Sequence, residues 1–425
     1  MLAVAGCSAH DDAASKGETP APGSSSKAYA YSDAQPIEPP PGPDDVVGLV
    51  QGRMGGPVGG VTIAIGGNVT TTDAWGRFVL RNAPARYDVQ LGVNGRGQAY
   101  RGLSTRRPTL QSEDNGWFNG APKNIDYSGA LAPDSKIVSF EVQDGGDTSV
   151  IEDGQDRNTV IRWSWWAGPI SPLAGTLWSL EYEKTTDGSA PTRYLGVAST
   201  PIKLSPNQEA TFKPTFSPIS KTSTVSGVAR PAPGMTIYES NLLVRFGGQY
   251  SILHGGFPVR TIPANFVVPE IDGASWGIRY SAFDTGAPGS YGGANSSMSV
   301  PVGADGSIPD VTLPSAPKII LPADGATDFG VGSEIGWEGG EGACTVEVTS
   351  TDTWKSIRVT TLESRVSMPD LSAVGVPLAP HQVFKVNVWC ARETNRAPDA
   401  DPVLDWTWRT LGSFSYSRTI TVSTP

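Results

Sequence analysis

Apolar residues in this chain recur at every second position, in runs that are always short. Val61, Ile63 and Ile65 share one side of their segment, and Phe78 and Leu80 stand between Arg77 and Arg81. Tyr87, Val89, Leu91 and Val93 alternate with Asp88, Gln90, Gly92 and Asn94, and Val138, Phe140 and Val142 repeat the pattern. Successive side chains of a strand point to opposite faces, so this period marks half-buried strands. The 50 glycines and 36 prolines cut each run short. A chain of 425 residues also exceeds the roughly 250–300 residues that one hydrophobic core serves. These constraints predict an all-β body of several sandwich domains.

Charge narrows the range of functions. A formal net charge of −10 opposes a nucleic-acid partner, which needs clustered Lys and Arg. No run of 18 apolar residues is present, so no segment reads as a membrane-spanning helix. Residues 8–45 are rich in Ser, Ala, Pro and Asp and end Pro39-Pro40-Pro41-Gly42-Pro43-Asp44. That composition predicts a disordered linker that stiffens towards polyproline II at its end.

The first residues, Leu2-Ala3-Val4-Ala5-Gly6-Cys7 followed by Ser8-Ala9-His10-Asp11-Asp12, resemble a bacterial lipobox. The resemblance implies that residues 1–7 are the remnant of a lipoprotein signal and that Cys7 is diacylated. It places the protein on a membrane of the bacterial cell envelope, at the outer membrane or cell surface. Of the three cysteines, lipidation of Cys7 leaves Cys344 and Cys390, and export permits them to bond. Alternation sets Cys344 with Val346 and Val348, and Cys390 with Phe384, Val386 and Val388. Both thiols therefore face the core, and a bridge from one sheet to the other is expected.

Two stretches resemble known modules. Gly48-Leu49-Val50-Gln51-Gly52, Pro57 to Ile63, Thr72-Asp73-Ala74-Trp75-Gly76-Arg77-Phe78, Asn82-Ala83-Pro84 and Tyr87-Asp88-Val89 resemble the carboxypeptidase regulatory-like domain. That family implies a transthyretin-like sandwich over residues 46–132 with no catalysis of its own, and makes Asp73 and Gly76 turn residues. Asp73 would bond the backbone and Gly76 would accept a positive φ. Ala316-Pro317-Lys318-Ile319-Ile320-Leu321-Pro322-Ala323-Asp324-Gly325-Ala326 resembles the entry to bacterial fibronectin type III-like domains, over residues 316–425, with Trp337 in the core. Between them, residues 133–221 and 222–315 read as two further β-sandwich modules. The second contains Val225-Ser226-Gly227-Val228, Phe266-Val267-Val268-Pro269 and Trp276-Gly277-Ile278-Arg279-Tyr280, a degraded echo of the first module. The fold class expected is thus all-β, with tandem immunoglobulin- or transthyretin-like sandwiches standing in a row behind a linker.

Candidate chemistry is sparse. The three histidines, His10, His254 and His381, sit in no HExxH, and the chain has no CxxC, GxSxG or phosphate-binding loop. The acidic stretch from Asp144 to Asp156 lacks EF-hand spacing and reads as a solvated hairpin, with calcium as the alternative. Trp163-Ser164-Trp165-Trp166 is the one stretch with a binding character: Trp163 and Trp165 share a face with Ile161, either as core or as a surface that stacks on a ligand. No metal or other cofactor is implied, and no enzymatic activity. The function expected is a lipid-anchored, non-enzymatic binding or scaffold module with a membrane contact and a protein or glycan partner. The alternative is a carbohydrate-binding surface protein or an accessory to a polysaccharide-processing enzyme.

Overall fold

The computed structural model describes residues 40–52, 58–112, 123–143, 148–155, 160–163, 173–183, 191–204, 209–246, 251–253, 264–284, 293–352, 355–393 and 412–425. They form an all-β protein. The strands of the first module are β1 (Val46–Gly52), β2 (Thr62–Ile65), β3 (Asn68–Thr71), β4 (Arg77–Leu80), β5 (Tyr87–Val93), β6 (Arg96–Leu103) and β7 (Thr109–Ser112). Next come β8 (Lys123–Asp126), β9 (Ser135–Gln143), β10 (Thr148–Gln155), β11 (Val160–Trp163), β12 (Leu173–Glu183), β13 (Tyr194–Leu204), β14 (Ala210–Phe212) and β15 (Ser217–Pro218). The third group is β16 (Thr222–Gly227), β17 (Ala229–Arg230), β18 (Met235–Phe246), β19 (Ser251–Ile252), β20 (Ala264–Pro269), β21 (Ala274–Asp284), β22 (Asn295–Pro301) and β23 (Val311–Thr312). The last contains β24 (Lys318–Leu321), β25 (Glu334–Glu338), β26 (Ala343–Ser350), β27 (Ser356–Thr361), β28 (Arg365–Ser367), β29 (Val383–Glu393), β30 (Gly412–Tyr416) and β31 (Ile420–Ser423).

In the first module β1 lies between antiparallel β4 and parallel β7, and this sheet faces a second one ordered β3-β2-β5-β6. The alternating residues fill the space between them: Val46, Val50, Phe78, Leu80 and Leu110 from one sheet meet Ile63, Val89, Leu91 and Tyr100 from the other. Residues 40–45, which composition assigns to the end of the linker, are folded onto this module. Asp45 accepts the Gly42 and Asn82 amides at 2.7 and 2.9 Å and the Arg81 guanidinium at 2.7 Å.

The third module repeats this topology. The β16–β17 segment pairs antiparallel with β20 and parallel with β23, as β1 does with β4 and β7. The facing sheet runs β19-β18-β21-β22, matching β3-β2-β5-β6. The second module stacks two sheets, β10-β9-β12-β13-β15 and β11-β8-β14, and its larger sheet is buried on both faces. Ile137, Leu177, Ala198 and Ile202 face the smaller sheet, while Val138, Phe140, Leu180 and Tyr182 enter the core of the third module. Trp178 stacks on Phe246 there, with ring centroids 4.5 Å apart.

The last module departs furthest from a row of separate sandwiches. Its main sheet, β27-β26-β29-β30, is paired on both edges. On one edge β27 runs parallel to β6, aligning Ile357 with Gly97 and Thr360 with Tyr100. On the other β30 runs antiparallel to β22, aligning Phe414 with Ser297. Since β6 and β22 hold equivalent places in the two repeats, the last module joins the first and third through the same strand of each. One sheet of 13 strands results. Its two faces are used differently: Val346, Val388 and Val359 face the fourth core on one side, whereas Ile63, Leu91 and Tyr100 face the first core on the other.

Candidate ligand-binding cleft

Docking of the first module onto the last depends on small residues. The outward faces of β2, β5 and β6 carry Ala64, Gly92, Gly97 and Ala99, and against them lies the segment holding Leu371, Val374 and Val376. A Cβ at Gly92 would stand 2.0 Å from the Val374 carbonyl oxygen, and one at Gly97 would stand 2.5 Å from Leu371 Cδ1. Beside this contact the two modules leave a cleft of about 830 Å³, a volume typical of ligand sites, which favour domain interfaces.

One wall belongs to the first module. The strand pair β5–β6 is bulged between Tyr87 and Val89. Asp88 fixes that irregularity by accepting the Gly102 amide at 2.8 Å and pairing with Arg101 at 2.6 Å. Gly102 has φ +71°, and a Cβ there would meet the Arg86 guanidinium at 2.8 Å, so the missing side chain gives Arg86 its place on the wall. The other wall belongs to the last module: Glu334, the β27–β28 turn with exposed Leu362 and Glu363, and β28 with Arg365 and Ser367. Arg365 pairs with Glu334 at 3.0 Å. Arg101 reaches across, its Nη2 donating to the Ser367 carbonyl at 3.5 Å. Arg86 and Glu363 remain, one on each wall, with no ion pair among the described residues. The cleft therefore offers opposite, available charges and strand backbone. Sequence reasoning missed it because each wall is unremarkable until β6 and β27 pair; only the run of small outward residues hinted at a contact.

The residues singled out from sequence lie elsewhere. Asp73 Oδ1 accepts the Trp75 and Arg77 amides at 2.9 and 2.8 Å, Oδ2 accepts Arg77 Nε at 2.7 Å, and Gly76 follows at φ +69°. This is a structural turn and not a site. Cys344 and Cys390 are bonded, but not from sheet to sheet as expected. They are directly opposed on neighbouring strands β26 and β29 of one sheet, with Cα atoms 4.0 Å apart. Both side chains do face the core, because a cross-strand pair shares a face. Gly340 permits this, since a Cβ there would meet Cys390 Sγ at 2.5 Å. Trp337 is buried in the last core. Trp163 ends β11 opposite Lys123, and Trp165, Cys7, His10 and His254 lie outside the described residues. His381 is exposed, at φ 56° in the turn before β29. Of the acidic stretch, Thr148–Gln155 is strand β10, hairpinned on β9; 144–147 and Asp156 lie outside the described residues. Among the described residues no group of three His, Cys, Asp or Glu is placed to hold a metal ion.

A second polar arrangement is structural. Glu181 is fully buried and accepts the Leu131 and Ala132 amides, each at 2.8 Å, and the Ser135 hydroxyl at 2.5 Å. A buried charge is tolerated only when so satisfied, and this one fixes the segment that enters β9. An aromatic group that sequence reasoning also missed lies on the sheet face opposite the last core. Trp389, Phe414 and Tyr416 meet there, with Phe414 and Tyr416 at 4.7 Å, and the latter two are half-buried.

No family model and no curated protein matches this chain. Solved structures overlap it only loosely. A Bacteroides eggerthii chain described as a cell adhesion protein is 10% identical, covering 44% of this chain and 81% of its own, with a TM-score of 0.19. The four N-terminal immunoglobulin domains of Dscam1 isoform 1.9 are 9% identical over 90% of this chain and 98% of their own, at 0.16. Three fibronectin domains of chicken CNTN1 are 9% identical over 79% of this chain and 94% of theirs, at 0.16. Similarity at this level carries no conclusion about what the chain does. The β-sandwich assignment rests on the strand pairing itself.

Proposed function

We propose that this chain is a lipid-anchored, non-enzymatic binding and scaffold protein of a bacterial cell envelope, presenting the cleft between its first and last modules. The single observation that carries this reading is that cleft: two modules distant in sequence pair edge to edge and leave a recess with one available charge on each wall. Two further features agree with it. The Cys344–Cys390 bond belongs to oxidising compartments, and the lipobox-like start with Cys7 precedes a long polar segment that would lift the body from a membrane. Expression with a complete upstream signal tests the anchor. The protein should partition into detergent and label with palmitate, Cys7→Ser should abolish both, and a wild type that remains soluble and unlabelled would contradict it.

The half-buried Phe414 and Tyr416, packed with Trp389 on the sheet face opposite the last core, favour a second reading in which the body contacts carbohydrate, because sugar rings stack on aromatic faces. A glycan array separates the two. Signal lost in Tyr416→Ala or Trp163→Ala, and unchanged in Arg86→Glu, supports the carbohydrate-directed reading.

A further inference from the structure

We infer that the cleft takes an extended peptide segment, which adds as a further strand to the free edge of Arg365–Ser367. The inference rests on the reading of this body as a binding module and names the ligand class of its cleft. Among the described residues the strand β28 pairs only with β25. The Trp337 amide donates to the Ser364 carbonyl at 3.0 Å and the Met368 amide donates to Ser333 at 2.8 Å. Backbone groups of an antiparallel strand alternate in direction, so positions 364, 366 and 368 bond β25 while 365 and 367 point the other way. That direction is the cleft, as the Arg101 contact to the Ser367 carbonyl establishes. The Arg365 amide and carbonyl and the Ser367 amide are left facing the recess, a ladder ready for strand addition.

Proteins usually blunt an open edge with proline, a bulge or a charge, or cover it. The Arg365–Ser367 edge carries neither proline nor bulge, its one charge is engaged by Glu334, and the space beside it is open. The recess also selects by charge. Its three arginines and three carboxylates balance, which disfavours a polyanion, and the available Arg86 and Glu363 on opposite walls suit a segment that carries both signs.

The test uses the full chain panned against a phage-displayed library of 12-residue peptides, with enriched sequences resynthesised and titrated. Binding should slow hydrogen exchange at the Arg365 and Ser367 amides at least tenfold. Ser367→Pro should weaken it at least tenfold, because proline removes the amide that faces the cleft and none that bonds β25. Peptides N-methylated at alternate residues should lose binding in one register only. Arg86→Glu should deplete peptides with an acidic residue from the selection. Failure to enrich any peptide, or enriched peptides that bind Ser367→Pro equally well without slowing those two amides, would overturn the inference. If peptides fail while a glycan array gives a signal, the peptide assignment falls and the binding-module reading stands. Should Ser367→Pro melt early, exchange on the wild type decides alone.

Discussion

Asp73 illustrates how one side chain sets a local fold. By accepting two amides and the Arg77 side chain, it closes the β3–β4 turn and sends Phe78 over Gly48, where a Cβ would lie 2.2 Å from the ring. Asp73→Ala should therefore cost about 1–3 kcal/mol, the usual penalty for leaving such donors unpaired, read as a shifted denaturant midpoint with an unchanged slope. Asp126 carries a pH signature. The Lys213 ammonium, 2.8 Å away, and then Ser128 hold its carboxyl at about 2. The unfolded value is about 3.9, so the bond stabilises the fold fully above pH of about 4, and the contribution is lost as pH falls towards 2. Asp45 acts with the same sign, lowered by the Asn82 and Gly42 amides and by Arg81. The stability gap between wild type and Asp126→Asn should be constant near neutrality and close below pH 4; a gap independent of pH would contradict the assignment. The two core cysteines close a loop of 46 residues, and replacing both with serine should cost up to about 4 kcal/mol by loop entropy, measured against the disulfide-bonded wild type.

At the level of strands, alternation made one core-facing side of many strands legible, although strands such as β6, β21 and β27 are buried on both faces. Ile63, Phe78, Val89, Val138 and Val388 are buried where the period places them. Pairing was less legible, because alternation fixes which face a residue occupies and not which strand lies beside it. Cys344 and Cys390 show the difference: their facing was readable, but their being neighbours in one sheet was not. The strand order that the first and third modules share was suggested in sequence only at Val225-Ser226-Gly227 and Phe266, because the Asp-x-x-Gly motif of the first module does not recur in residues 222–315. Gly92 and Gly97 read as interruptions in good strands and are contact points. Gly92→Val should separate the first module from the Leu371–Val376 segment. We expect a loss of about 1–3 kcal/mol from overpacking and an early melting phase for the first module. The same change at Gly330, where φ is not positive and a Cβ would meet nothing within 4 Å, gives the comparison without overpacking.

In the whole molecule, the last module acts as a keystone. A sandwich normally has edges to protect, and here both edges of its main sheet are closed by β6 and β22, equivalent strands of two repeats. The Arg418–Asp284 ion pair reinforces the β22 side. The cleft, its strand edge and its opposed charges all exist only if β6 and β27 pair. Amide hydrogen exchange across Arg96–Leu103 and Ser356–Thr361 measures that pairing directly. The account predicts that the amides each strand directs at the other are protected to the same degree as those bonded within either module, and that Gly92→Val releases them selectively. Exchange of those amides at the rate of an open edge, with the interiors of both modules still protected, would contradict it.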